Sequence, residues 1–197
     1  SGWFASRDIT PLQLEGVLPW PERGGSLDMM QLKCTRKLLD FAGIAPAPLP
    51  EANSTLLGAW HVNTEVIGRY RFLLFLNDRT LYCLVGVIPA TEITAHLPVI
   101  FRHLLASAML KNGVDQAHIE QVAREYVDET ITKTDSRRVL GNLNDLFNQM
   151  CFFLQDAIDA NRPVDLPEIE DYLNRIPQRN LGGRLSLDAF KETLGAD

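Results

Sequence analysis

The chain holds three cysteines in 197 residues, Cys34, Cys83 and Cys151, and no two stand at the close spacing of a redox or zinc pair. Each lies in an apolar run, so all three are expected to be buried free thiols. That usage suits a reducing cytosol and predicts a cytoplasmic protein. Basic residues are also scarce: 19 lysines and arginines stand against 25 aspartates and glutamates, for a formal net charge of -6. Nucleic-acid binding is therefore disfavoured, because it depends on neutralising phosphates. The longest apolar run, Leu97 to Leu110, is interrupted by Pro98, Arg102 and His103 and falls short of the about 20 residues of a membrane span, so no membrane association is expected. The N-terminus has no basic segment leading into an apolar stretch and predicts no secretory signal.

Several catalytic signatures are missing as well. There is no G-x-S-x-G elbow, no G-x-x-x-x-G-K-[ST] phosphate loop and no G-x-G-x-x-G turn, which removes the commonest hydrolase, triphosphatase and dinucleotide motifs. The histidines gather no metal set: His96 and His103 are separated by Pro98 and have no acid or thiol at ligand spacing. His61 reads as a surface or hydrogen-bonded core residue, and His118 lies on an exposed helix. Gly182-Gly183-Arg184-Leu185-Ser186-Leu187-Asp188 faintly echoes a calcium loop. Gln178, Asn180, Gly182 and Ala189 then fall where ligand oxygens are needed, which rejects calcium. No metal and no cofactor are expected.

What remains is the composition of a globular protein, 46% hydrophobic and 22% charged, long enough to bury roughly two thirds of its unfolded surface. Residues 1–28 are turn-rich up to Met29-Met30 and are expected to be an extension, non-native or encoded upstream, with Met29 or Met30 as the natural start. Residues 29–162 are expected to form one α+β domain, and 163–197 a small helical appendage packed on it.

Met30 to Cys34 alternates apolar and polar residues, and Thr35 to Gly43 carries a threonine cap, helical spacing and a terminal glycine, which predicts a strand and a short helix. Pro46, Pro48 and Pro50 make the next stretch an extended connection. Leu57 to Val66, Tyr70 to Leu76 and Thr80 to Ile88 then read as three strands joined by tight turns at Gly68-Arg69 and Asn77-Asp78-Arg79, which predicts antiparallel hairpins. Phe72-Leu73-Leu74-Phe75-Leu76 is apolar on both faces and is expected to be a central strand. Helical patterns follow from Ile93 to Lys111, with Pro98 as a kink or a first turn, and from Asp115 to Tyr126. Tyr126 to Lys133 alternates like an edge strand. The predicted fold is α+β: an antiparallel sheet of about four or five strands against two long helices, Ile93–Lys111 and Ser136–Ala160, with a small helical C-terminal tail from Glu168 to Asn174 and Leu187 to Leu194.

The helix from Ser136 is the strongest pattern in the chain: Val139, Leu143, Leu146, Met150 and Phe153 repeat at helical spacing, broadened by Leu140, Phe147, Cys151 and Leu154. It is preceded by a polar turn, Lys133-Thr134-Asp135, and opens on Arg137-Arg138. Thr134, Asp135 or Ser136 can cap it. Helix N-terminal amides beside two arginines can bind a phosphate or carboxylate, and the same letters can also be an ordinary cap with both arginines paired to nearby acids. The candidate ligand-binding set is Asp135, Ser136, Arg137, Arg138, Asn142, Asn144 and Asp145. Asp128 and Glu129 on the preceding strand read as a solvated acidic edge.

Lys133-Thr134-Asp135-Ser136-Arg137-Arg138-Val139-Leu140-Gly141-Asn142-Leu143-Asn144-Asp145 resembles the hallmark of an uncharacterised bacterial protein family marked by K-T-D/N-S-R-x-V-L-G-x-x-N-D. Leu57-Gly58-Ala59-Trp60-His61, Leu73-Leu74-Phe75-Leu76-Asn77 and the Met30-to-Leu39 start are similar to it too. The resemblance covers about residues 30 to 155 and implies no mechanism. The expected function is therefore unknown, with two readings. One is a non-enzymatic binding or interaction protein with an anion site at the Ser136 helix, its partner a small anion or another protein. The other is a small hydrolase or transferase for a phosphate- or carboxylate-bearing substrate, with Arg137 orienting the anion and Asp135 or Asp145 as base.

Overall fold

The computed structural model describes residues 29–49, 55–67, 70–89, 97–162 and 166–196. The expectations for residues 1–28, for the Gly68-Arg69 turn and for the segment from Ala90 through Ile93 to His96 lie outside them.

Among the described residues, seven strands and six α-helices follow one another: β1 (Met30–Cys34), α1 (Arg36–Ala42), β2 (Trp60–Ile67), β3 (Tyr70–Asn77), β4 (Cys83–Pro89), α2 (Leu97–Lys111), α3 (Gln116–Glu125), β5 (Glu129–Lys133), α4 (Arg137–Asp159), α5 (Leu166–Asn174), β6 (Pro177–Gln178), β7 (Arg184–Leu185) and α6 (Ser186–Thr193). Local chemistry sets several boundaries. Thr35 caps α1 through the Leu38 amide, and Gly43 ends it in the left-handed region. Asp115 caps α3 through the His118 amide. Pro98 sits in the first turn of α2, where its missing N–H has no helical partner to lose.

The main sheet has the order β4-β3-β2-β1-β5. β2, β3 and β4 form the expected antiparallel meander. The sheet as a whole is mixed and not antiparallel, because β1 runs parallel to both β2 and β5. The reason is the connection: β1 reaches β2 through α1, and a crossover helix returns the chain to the same end of the sheet. β5 lies at the edge as expected. The covering helices also exceed the expected pair. One face carries Leu38 and Leu39 of α1, residues of α2 and α3, and Phe190 of α6 over Leu32, Trp60, Leu73, Phe75 and Leu84. Gly86 admits α2 closely, since a Cβ there would lie 3.2 Å from Leu104 Cδ1. The other face carries α4 and α5 over Phe72, Leu74, Leu76, Cys83, Val85 and Val87. β3 is thus buried on both sides, as its doubly apolar text predicts. Of the three thiols, Cys34 and Cys83 are buried and Cys151 is exposed. Cys151 and Phe152 fall on the outer side of α4, beyond the arc that meets the sheet.

The open edge of β4 is closed by side chains. From α5, Asn174 accepts a hydrogen bond from the Cys83 amide and donates one to the Cys83 carbonyl, both at 2.8 Å. Glu170 accepts from the Val85 amide at 3.2 Å. Ser186, the first residue of α6, donates to Asn174 Oδ1 at 2.9 Å, and Tyr82 Oη donates to Glu170 at 3.3 Å. α5 therefore stands in for a neighbouring strand, which removes an edge open to aggregation. Burial pushes the Glu170 carboxyl up to about 7, against hydrogen bonds from Val85 and Tyr82 and the Lys111 ammonium, all of which favour ionisation.

Asn174→Ala leaves the buried Cys83 amide and carbonyl without partners and is expected to cost about 3 kcal/mol in urea denaturation. Glu170 binds a proton more tightly folded than at its ordinary 4.5, so wild-type stability relative to Glu170→Gln should fall as the pH rises from about 4.5 to about 7. A flat difference across that window would contradict the burial.

Candidate functional site

The same sheet face that is apolar under α4 on β3 and β4 turns polar on β2, β1 and β5. Along β1 the apolar residues Met30, Leu32 and Cys34 join the first core, which leaves Gln31 and Lys33 on the opposite face. In register, Lys33 lies between His61 of β2 and Thr132 of β5. Gln31, His61, Asn63 and Thr132 are all buried, at 6% exposure or less. Buried polar groups are expensive unless they are hydrogen-bonded, so their partners define the site.

Those partners lie at the carboxyl ends of the parallel strands. His61 Nδ1 is 2.8 Å from Thr134 Oγ1. Lys33 Nζ donates to both Asp135 oxygens, at 3.2 and 3.3 Å, although the two residues are 102 positions apart. Thr35 donates to Asn63 Oδ1 at 2.8 Å, and the Thr134 amide donates to the Cys34 carbonyl at 3.0 Å. Thr132 Oγ1 is buried with no hydrogen-bond partner among the described residues.

Topology explains why the polar groups gather here. β1 leads into α1 on one face, while its neighbour β5 leads into α4 on the other. Where adjacent parallel strands send their helices to opposite faces, the chain parts beyond the carboxyl ends, the usual ligand site of open sheets with parallel strands. Thr35, Thr134 and Asp135 stand just after those ends.

Electrostatics keep the site close to neutral. Burial, reinforced by Lys33 and opposed by Asp135, pushes the His61 imidazole down to about 4. Burial raises the Asp135 carboxyl, but the hydrogen bond and charge of Lys33 outweigh it, and the group lies below the usual carboxylate range.

The motif residues divide into two groups. Ser136 is the cap of α4, its Oγ accepting from the Val139 amide at 3.3 Å. Arg137 and Arg138 open the helix, are exposed, and make no ion pair among the described residues. Together with Asp135 these form one cluster at the β5–α4 turn. Asn142 turns toward the C-terminal segment, where Asn180 donates to its Oδ1 at 3.0 Å. Asn144 and Asp145 are exposed farther along α4. Eight residues of helix separate Arg137 from Asp145, about 12 Å. Glu129 pairs with Arg102 at 3.1 Å and stays out of the cluster.

Lys33 and Thr132 belong to the site without any motif to mark them. Their one sequence signal is polar residues at alternate positions in otherwise apolar strands, as in Met30-Gln31-Leu32-Lys33-Cys34. Among the described residues no three histidines, cysteines or acids gather at metal-binding distance, and no helix is long and apolar enough to cross a membrane.

A family model described as Domain of unknown function (DUF6933) matches residues 31–188. No curated protein and no solved structure matches the chain.

The buried imidazole supplies a direct check of the site. His61 should titrate near 4 by NMR, and its neutral form should add stability at pH 6.5 that is lost as the pH falls toward 4, since the unfolded chain binds the proton more readily in that window. An apparent value at or above 6.5 would contradict the packing.

Proposed function

The chain belongs to the DUF6933 family, a domain of unknown function, and from that starting point we propose that it is a binding protein for a small anion-bearing ligand. The site is at the carboxyl ends of β1 and β5. The anionic group sits at the start of α4, where the amides of Arg137 and Arg138 have no helical acceptor and both side chains are exposed. Lys33, Asp135 and the His61–Thr134 pair form the wall beside it.

The observation that carries this reading is the polar row His61–Lys33–Thr132 on β2, β1 and β5, the last of which runs into a helix start that bears two arginines with no ion pair among the described residues. On β3 and β4 the same face is apolar, so the polar groups are confined to β2, β1 and β5. The enzymatic alternative, a hydrolase or transferase, draws less support. Of its two candidate bases, Asp145 lies about two helical turns from Arg137, and Asp135 is already held by Lys33.

The test is a thermal-shift screen of nucleotides, sugar phosphates and organic acids on wild type, Arg137→Ala and Arg138→Ala. A ligand at a hundred times its Kd stabilises the fold by about 2.7 kcal/mol, and both substitutions should lower that shift while leaving the unliganded midpoint unchanged. Equal shifts in wild type and both variants would refute the site.

A further inference from the structure

We infer that the ligand carries hydroxyl groups next to its anionic group, as a phosphorylated sugar or a nucleotide does, and that Asp135 selects it over a bare anion. The inference rests on the reading above that Arg137 and Arg138 head an anion site, and it asks what the neighbouring groups would accept.

Asp135 immediately precedes the cap of α4 and its side chain is 44% exposed, while the Lys33 side chain that holds it is 15% exposed. A site for an isolated phosphate gains nothing from a carboxylate at its rim, because two like charges repel at that distance. A carboxylate there is useful when the ligand brings hydrogen-bond donors. Ionised Asp135 is an acceptor only, and Lys33 holds it ionised on one side and leaves the solvent side free. It can then take a hydroxyl, or two adjacent ones, as strand-end acids do with ribose.

A second and independent observation points the same way. Thr132 Oγ1 is fully buried, has no partner among the described residues, and lies on the same strand face as Thr134, two residues before it. A buried hydroxyl without a partner lowers stability, and valine would fit the same space without that penalty. The hydroxyl therefore offers a hydrogen bond that no group among the described residues takes up. The rest of the wall is neutral: His61 is uncharged, and Lys33 is offset by Asp135. Such a wall matches a polar, uncharged body attached to a charged head.

The experiment is calorimetric titration of the full chain with ribose 5-phosphate, ribose and inorganic phosphate, on wild type, Asp135→Asn and Thr132→Val. Wild type should bind ribose 5-phosphate about tenfold more tightly than phosphate, the gain of one charge-assisted hydrogen bond. Asp135→Asn should weaken ribose 5-phosphate about tenfold and tighten phosphate, because it removes an acceptor from one ligand and a repulsion from the other. Thr132→Val should raise the unliganded melting temperature and weaken ribose 5-phosphate alone. Equal affinity of wild type for both phosphates, or any variant that moves both in the same direction, would overturn the selection while leaving the anion site in place. Failure of both phosphates to bind to wild type would overturn the anion site and this inference with it.

Discussion

The structure depends on the parallel pairing of β1 with strands on both of its sides. Its five residues, Met30–Cys34, hydrogen-bond to β2 and to β5, and that ladder draws together segments about 100 residues apart. β1 and β5 each lead into a helix, and the two helices leave toward opposite faces. The two cores and the approach of Lys33 to Asp135 follow from this arrangement.

The two sheet faces are used differently. On the face under α1, α2 and α3 the packing is mostly apolar, with Phe101 set edge-on to Trp60 at 5.1 Å and tilted against Phe75 at 5.4 Å, and its polar groups, Thr64 with Arg71 and Glu129 with Arg102, are paired to each other. On the other face α4 meets the apolar side chains of β3 and β4 and leaves β1, β2 and β5 with Gln31, Lys33, His61, Asn63 and Thr132. Burying such groups lowers stability unless each finds a partner. Most of them do, and the hydroxyl that does not among the described residues is that of Thr132, on the strand that runs into α4. The apolar and polar parts of this face are thereby kept apart.

At the far side of the sheet the same economy of backbone groups recurs. β4 has no strand beyond it, and α5 supplies a carboxylate and an amide that meet its free N–H and C=O groups. An amide side chain carries the same donor and acceptor as a peptide unit, which is why Asn174 alone can satisfy both groups of Cys83.

Much of the element order was legible in the chain because it is set by short-range chemistry. The Thr35 cap and Gly43 stop frame α1, the tight turn at Asn77-Asp78-Arg79 points to a hairpin, and the apolar repeat from Val139 to Leu154 marks α4. Within the candidate site, Asp135, Ser136, Arg137 and Arg138 could be found in the same way, since a cap and a helix start are local. Asn142, Asn144 and Asp145 shared the motif but not the place, because a helix carries residues away along its axis at 1.5 Å each. Lys33, His61 and Thr132 could not be assigned to the site from their neighbours in sequence. Alternation shows that such residues share a face within one strand, yet it carries no information about which strands pair, in which direction or in which register. The sequence by itself determined the elements and their apolar faces, through periodicity and capping. Only the tertiary structure decided that β1 lies between β2 and β5 and that a polar row crosses all three, because strand pairing is made by backbone groups that every residue shares.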